Sequence, residues 1–263
     1  MPVFVRVGDL ISTQVIFFGE YEAQLLHLVT HLSKQGFSGF LFDIGANIGL
    51  SSYQLQTHFS HIFCFEPNPI AFKILEVNLR GVKKAQLFNF GIGAAEAETT
   101  LRVPRTNWGG AYISDSGNSY DEKIQLAKEG LSSLDDEHWE AISVHLRSGH
   151  MAFGKIFADL ERDGIRGGVV KIDVEGYEKT VLAELAASIP ADFRVAIYFE
   201  NWDHSATKDE FLSIFGGRGR LLKLEKVSPG RGLLKLWGYL TGRTGLALVE
   251  DFSAGSDLVY LIE

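Results

Sequence analysis

Apolar residues fall into short continuous runs along this chain, and from Phe40 onward each run leads through a turn into a stretch with helical spacing of apolar positions. GFLFDIG, HIFCFE, VVKID and RVAIYFE are runs of this kind, the pattern of strands buried on both faces of a parallel sheet. Helices are predicted over Leu50 to Phe59, from Asn68 to about Arg80, in AFGKIFADLERDG and after Gly176. AQLFNFGI reads as a further strand, and RLLKLEKV and DLVYLIE as two closing ones. The alternation predicts an α/β, Rossmann-like fold: one open, mostly parallel seven-stranded sheet with helices on both faces and ligands beyond the carboxyl ends of its strands.

Two stretches depart from the alternation. Before Phe40, VFVRV and STQVIFF read as short strands around the turn-prone GD, followed by a helix at LLHLVTHL. They predict a small N-terminal β/α addition over 1–38, ahead of a main domain over 39–263. Residues 102–150, rich in Gly, Asn and Ser clusters, predict an insertion over one edge of the sheet, with a polar helix near Asp121 to Glu129 and a strand at AISVHL.

Composition narrows the partners. A chain of 263 residues with 46% hydrophobic residues suits one large domain. Its net charge of −8 gives it no overall attraction for nucleic acid or an anionic membrane surface. Cys64 is the single cysteine, within the apolar HIFCF, which excludes an intramolecular disulfide and predicts an inert buried thiol. With no signal-like N-terminus and no membrane-length apolar run, a soluble, cytoplasmic protein is expected. The apolar positions of the N-terminal addition cover either its own sheet or a partner in a homo-oligomer. One region runs against the acidic balance: Arg218, Arg220, Lys223, Lys226, Arg231, Lys235 and Arg243 face a single acid, Glu225, and are interleaved with Leu233, Trp237 and Tyr239. This basic loop (228–256) is either a packed amphipathic lid or a cover for an anionic or lipid-linked acceptor.

The chemistry begins at LFDIGANIGL. Asp43 ends a strand, and Gly45 and Gly49 lie in the turn to the next helix, where glycines allow positive φ and close approach of backbone to a ligand. One βαβ step later Glu66 ends HIFCFE, where an acid accepts both hydroxyls of a ribose. The pair points to an adenosine ligand. Asp43 beside the turn would repel a pyrophosphate by roughly 3 kcal/mol at about 5 Å, and the third glycine of a dinucleotide fingerprint is absent. A cationic ligand, S-adenosylmethionine, fits better, with its carboxylate on the glycine-turn amides.

Five segments in order, FGEYE (18–22), DIGANIG (43–49), FEPNP (65–69), NFGIG (89–93) and KIDVEGYE (171–178), resemble the FkbM-family methyltransferases. These enzymes use S-adenosylmethionine and mostly methylate hydroxyl oxygens of sugars, polyketides and related natural products. The resemblance implies a class I methyltransferase fold, a methionine-end site at Asp43, Gly45 and Asn47, ribose binding by Glu66, and an adenine pocket near Asn68 and Asn89 to Gly91.

The acids of KIDVEGYE then divide. Asp173, at the end of the fourth strand, faces the same rim as Asp43 and Glu66. Glu175 and Glu178 lie where the next helix begins and favour its positive end. Asp173, Glu200 and Asn201 together are similar to the oxygen ligands of catechol-type, magnesium-dependent methyltransferases and would hold a hard cation such as Mg²⁺. Alternatively, Glu200 hydrogen-bonds nearby backbone. A hydroxyl acceptor must lose a proton, for which His204 and Asp173 are the base candidates; His27, His31 and His58 lie on outer helices. The expected activity is O-methylation of a small-molecule or glycan hydroxyl. N- or carboxyl methylation and a non-catalytic cofactor-binding module are the alternatives.

Overall fold

A computed structural model describes residues 3–115, 118, 126, 137–202, 206–227, 245–253 and 256–263. The main sheet is built from β1 (Phe40–Ile44), β2 (His61–Phe65), β3 (Ala85–Phe88), β8 (Gly167–Ile172), β9 (Arg194–Asn201), β10 (Arg220–Val227), β11 (Gly245–Val249) and β12 (Ser256–Ile262). Its order is β11-β10-β12-β9-β8-β1-β2-β3. The five strands from β3 to β9 are parallel; β12 is antiparallel to both β9 and β10, and β11 is antiparallel to β10. Without β11 this is the seven-stranded class I methyltransferase sheet, and β11 adds an eighth strand at one edge.

β1 is buried along its whole length, and its period of two divides the core. Phe40, Phe42 and Ile44 face α5 (Gly149–Arg162) and α6 (Glu178–Ala186), against Phe153, Phe157 and Leu182. Leu41 faces α2 (Ala23–Ser33), α3 (Leu50–Leu55) and α4 (Pro69–Leu79), among Leu25, Val29, Leu55 and Leu75. α7 (Lys208–Ile214) completes the first layer through Phe211. Asp43 shares Leu41's face and is the register partner of Lys171 on β8, so two charges lie side by side in the centre of the sheet.

Three expectations are corrected. STQVIFF is not a strand but most of helix α1 (Leu10–Phe18): Asp9 caps its start by accepting the Ile11 N–H, and Gly19 ends it in a left-handed conformation. Capping at both ends outweighed the β-branched composition. AQLFNFGI breaks at Asn89, so that β3 stays in the main sheet while β4 (Gly91–Gly93) leaves it. β4 joins β5 (Ala97–Pro104), β6 (Tyr112–Ile113) and β7 (Trp139–Ser148) in a second sheet of order β4-β7-β5-β6. This second sheet does not sit over an edge: Leu101, Val103, Ile113, Val144 and Leu146 pack on Val174 and Tyr177, just beyond the carboxyl end of β8. The helix expected near Asp121 to Glu129 and residues 228–244 of the basic loop lie outside the described residues, apart from Leu126.

Candidate functional site

Where β1, β2 and β8 end, a cleft opens between the main sheet, the second sheet and the N-terminal helix. Gly45, Asn47, Glu66, Gly91 and Asp173 line it. Asp43, Gly49, Asn68, Asn89, Glu200 and Asn201 do not.

Glu66 is the centre of one end. Its Oε2 accepts the Asn47 N–H at 2.7 Å and its Oε1 the Asn68 N–H at 2.8 Å. Burial pushes its carboxyl up to about 7, against the pull of these two N–H groups. Each oxygen keeps a lone pair for a further donor, which is what a ribose diol offers. Asn89 Nδ2 donates to the Glu66 and Pro67 carbonyls, and Asn68 Oδ1 accepts from Ile70 and Ala71 at the start of α4. Both asparagines thus fix the Glu66 segment. Gly91 does reach the cleft, where a Cβ would lie 2.7 Å from Leu146 and 3.5 Å from Pro67.

The glycine turn also works differently from expectation. The Gly45 and Ala46 N–H groups both donate to the Phe65 carbonyl at 3.0 Å, and Asn47 N–H serves Glu66, so these three amides clamp β2 instead of receiving a ligand carboxylate. Gly45 has φ +80°, and a Cβ there would lie 1.9 Å from the Asp173 carbonyl oxygen; the turn requires glycine for two independent reasons. Gly49 packs against Leu75. Asn47 Oδ1 is buried with no hydrogen bond in the protein. It is an acceptor on the cleft wall suited to a ligand donor such as an α-ammonium group.

The other end is organised by Lys171, which sequence reasoning passed over although a lysine inside VVKID is the signal that reveals it. Its ammonium is almost fully buried, 2.9 Å from Asp173 Oδ2 and 3.8 Å from both Asp43 Oδ1 and Glu22 Oε2. Burial alone would depress it, but Asp173, Glu22 and Asp43 hold it well above the usual lysine range. Asp43 is completely buried below the turn, where Ser52 Oγ donates to it at 2.6 Å. It therefore acts through Lys171 and Ser52, not as a cleft residue. Ser51 Oγ donates to Glu22, whose carboxyl burial raises to about 7. Asp173 presents the exposed carboxylate of this group, with 31% of its side chain accessible.

Of the residues expected to hold a cation, Asp173 lines the cleft and Glu200 and Asn201 do not. Glu200 accepts from Trp202 Nε1 at 2.7 Å, and Asp173 already has an ammonium as its counter-charge. Among the described residues no group of three His, Cys, Asp or Glu side chains is placed to hold a metal ion. His204 lies outside the described residues. Glu178 accepts the Gly176 N–H at 2.9 Å as α6 begins, and Glu175 has a positive φ in the same turn.

The remaining walls are apolar and aromatic: Ile11, Tyr21, Leu101, Trp108, Ile113 and Tyr177. Trp108 is tied to the N-terminal segment, since its N–H donates to Asp9 Oδ2 at 2.9 Å and the Arg6 guanidinium lies 4.3 Å above its ring. Asp9 is 3% exposed and also caps α1. Asp9→Ala removes both bonds and is expected to cost about 2 kcal/mol, read as a lowered thermal midpoint with a changed tryptophan emission. Of the basic run, Arg218 is spent on the Pro190, Ala191 and Phe193 carbonyls. Arg220 pairs with Glu263, and Lys223 with Glu225 and Asp251.

The sheet order, the buried acid after β2 and the carboxylate-rich floor after β1 and β8 define an S-adenosylmethionine-dependent methyltransferase of class I. More narrowly, the chain belongs to the FkbM methyltransferase family: the Methyltransferase FkbM domain matches residues 43–216. No curated protein matches the chain. Solved structures similar to it include a TehB-like SAM-dependent methyltransferase from Corynebacterium glutamicum, at 11% identity and a TM-score of 0.42 over 95% of this chain and 92% of that one. Another is precorrin-6y C5,15-methyltransferase from Geobacter metallireducens, at 11% identity and a TM-score of 0.42 over 92% and 88%. No helix among the described residues is long and apolar enough to cross a membrane.

Proposed function

We propose that this methyltransferase methylates a neutral hydroxyl group, of a sugar or another natural-product small molecule, and that Asp173 receives the hydroxyl proton. The observation that carries the reading is the Asp173 carboxylate on the cleft wall, oriented by Lys171 at 2.9 Å. S-adenosylmethionine supplies an electrophilic methyl group on a sulfonium. The acceptor oxygen forms its bond to that carbon as the carbon–sulfur bond breaks, and the hydroxyl proton passes to Asp173. Glu66 and Asn47 hold the nucleoside and methionine ends, while the second sheet and Trp108 exclude water and offer a flat apolar face to the acceptor.

Charge supports a neutral acceptor. Three carboxylates, Glu22, Asp43 and Asp173, surround one ammonium, so a carboxylate acceptor would enter against like charge. The test is transfer of isotope-labelled methyl from S-adenosylmethionine to a panel of glycosides, phenols, carboxylic acids and amines. Alkali-stable methyl ethers are the expected product; label found only as alkali-labile ester or on nitrogen would overturn the reading. Asp173→Asn is expected to slow transfer by about a hundredfold while binding of the donor holds within about tenfold.

A further inference from the structure

We propose that Glu22 is a specificity-determining residue: with Asp43 and Asp173 it gives the wall around Lys171 a surplus of negative charge that holds the cationic methyl donor more tightly than its neutral thioether product. The inference rests on the cofactor reading above and adds a role for a residue that precedes the family-matched segment 43–216.

Glu22 is placed at some cost for this position. It stands just before α2, where an acid ordinarily caps the first turn, yet its side chain makes no capping bond. Its backbone is left-handed, with φ 46° and ψ 56°, a conformation glutamate rarely adopts and one that recurs at functional sites. The carboxylate turns instead toward Ser51 and Lys171. Its neighbours Tyr21, Ser51, Lys171 and Asp173 all line the cleft. Hydroxyls of Ser51 and Ser52 satisfy Glu22 and Asp43 as hydrogen-bond acceptors without protonating them, so above about pH 7, where Glu22 is ionised, one ammonium is left to balance three acids. Methyl transfer turns the donor's sulfonium into a thioether and so removes one positive charge from the bound ligand. A wall with surplus negative charge therefore favours the donor before transfer and loosens its hold on the product afterwards.

Calorimetry with S-adenosylmethionine and S-adenosylhomocysteine tests this on the full chain. The intact protein is expected to prefer the donor. Glu22→Gln keeps an acceptor for Ser51 but removes the charge, and is expected to weaken donor binding about tenfold while product binding stays within about twofold. Ser51→Ala removes the hydrogen bond and keeps the charge, so the donor-to-product ratio should survive it. Equal losses for both ligands in Glu22→Gln, or no loss for either, overturn the proposal.

If Glu22→Gln shows no cooperative unfolding, the ratio is read on the intact protein between pH 8 and 6, where Glu22, raised to about 7, takes up its proton. The groups facing it are Lys171 and Asp173 at the end of β8, Asp43 of β1, Tyr198 of β9, Ser51 of α3 and its own neighbour Tyr21. Glu66 titrates in the same range but meets the ribose that both ligands share, so it cancels from the ratio. The preference for the donor is expected to shrink toward pH 6, and a ratio that stays flat overturns the proposal. Failure of the intact protein to bind either ligand would overturn the cofactor reading, and this inference with it.

Discussion

Replacing Lys171 with methionine is expected to cost the protein about 3–5 kcal/mol of stability, because breaking a buried ion cluster by removing one partner leaves uncompensated charge in a low-dielectric interior. Lys171 is 2% exposed, and its ammonium is the shared counter-charge of Asp43, Asp173 and Glu22. Methionine fills a similar volume, so the loss is electrostatic and not a packing defect. At roughly 2–4 °C per kcal/mol for a chain of this size, the thermal midpoint should fall by about 10 °C. The deficit should narrow in acid as the stranded carboxylates take up protons. A variant as stable as the parent at neutral pH would show that the cluster has no electrostatic role in the fold.

Glu66→Ala is expected to lose donor binding by about 3 kcal/mol, on the order of 200-fold, the worth of two hydrogen bonds from a ribose diol to a carboxylate. The same change frees the Asn47 and Asn68 N–H groups that Glu66 now accepts, so the glycine turn loosens together with the pocket. Glu66→Gln separates the two effects, since its amide oxygen accepts one of these bonds and its NH₂ group repels the other. Calorimetry in which the alanine variant binds the donor as tightly as the parent would remove Glu66 from the ribose site.

The sign of the pH dependence follows from the same residue. Its carboxyl is at about 7 in the folded chain against 4.5 as its ordinary value. The folded state thus binds the extra proton between these values, and its contribution is fully present below about 4.5 and lost as pH rises through 7. For Glu66 this is about 3 kcal/mol. Unfolding of the ligand-free protein by urea should therefore become easier from pH 5 to 8. Donor binding, whose ribose hydroxyls favour the ionised carboxylate, should release a proton near pH 7, detectable as a buffer-dependent heat.

How much of this was legible in the sequence depends on the range over which each feature is set. The strands β1, β2, β8 and β9, the glycine turn, and Glu66 and Asp173 at strand ends are local: a run of apolar residues, a turn residue and an acid lie within ten positions of one another. The N-terminal helix was misread because the β-branched and aromatic residues of STQVIFF suit a strand, while its caps, Asp9 and Gly19, lie outside that run. Asn68 and Asn89 were legible as polar residues near the site but not as its scaffold. A side chain capping a helix and one touching a ligand look the same until the direction of the chain around them is known.

By itself the sequence determined the sheet, its binding rim, the cofactor class and the two acids that face the cleft, because burial on both faces and the chemistry of a strand end are written in neighbouring residues. Only the tertiary structure decided that Lys171 is shared among Glu22, Asp43 and Asp173, that Trp108 closes on Asp9, and that the second sheet roofs the site instead of extending an edge. Those contacts join positions up to 149 residues apart in the chain, and they exist because strand register sets Asp43 beside Lys171. Register and packing are properties of the assembled sheet, which no single segment carries.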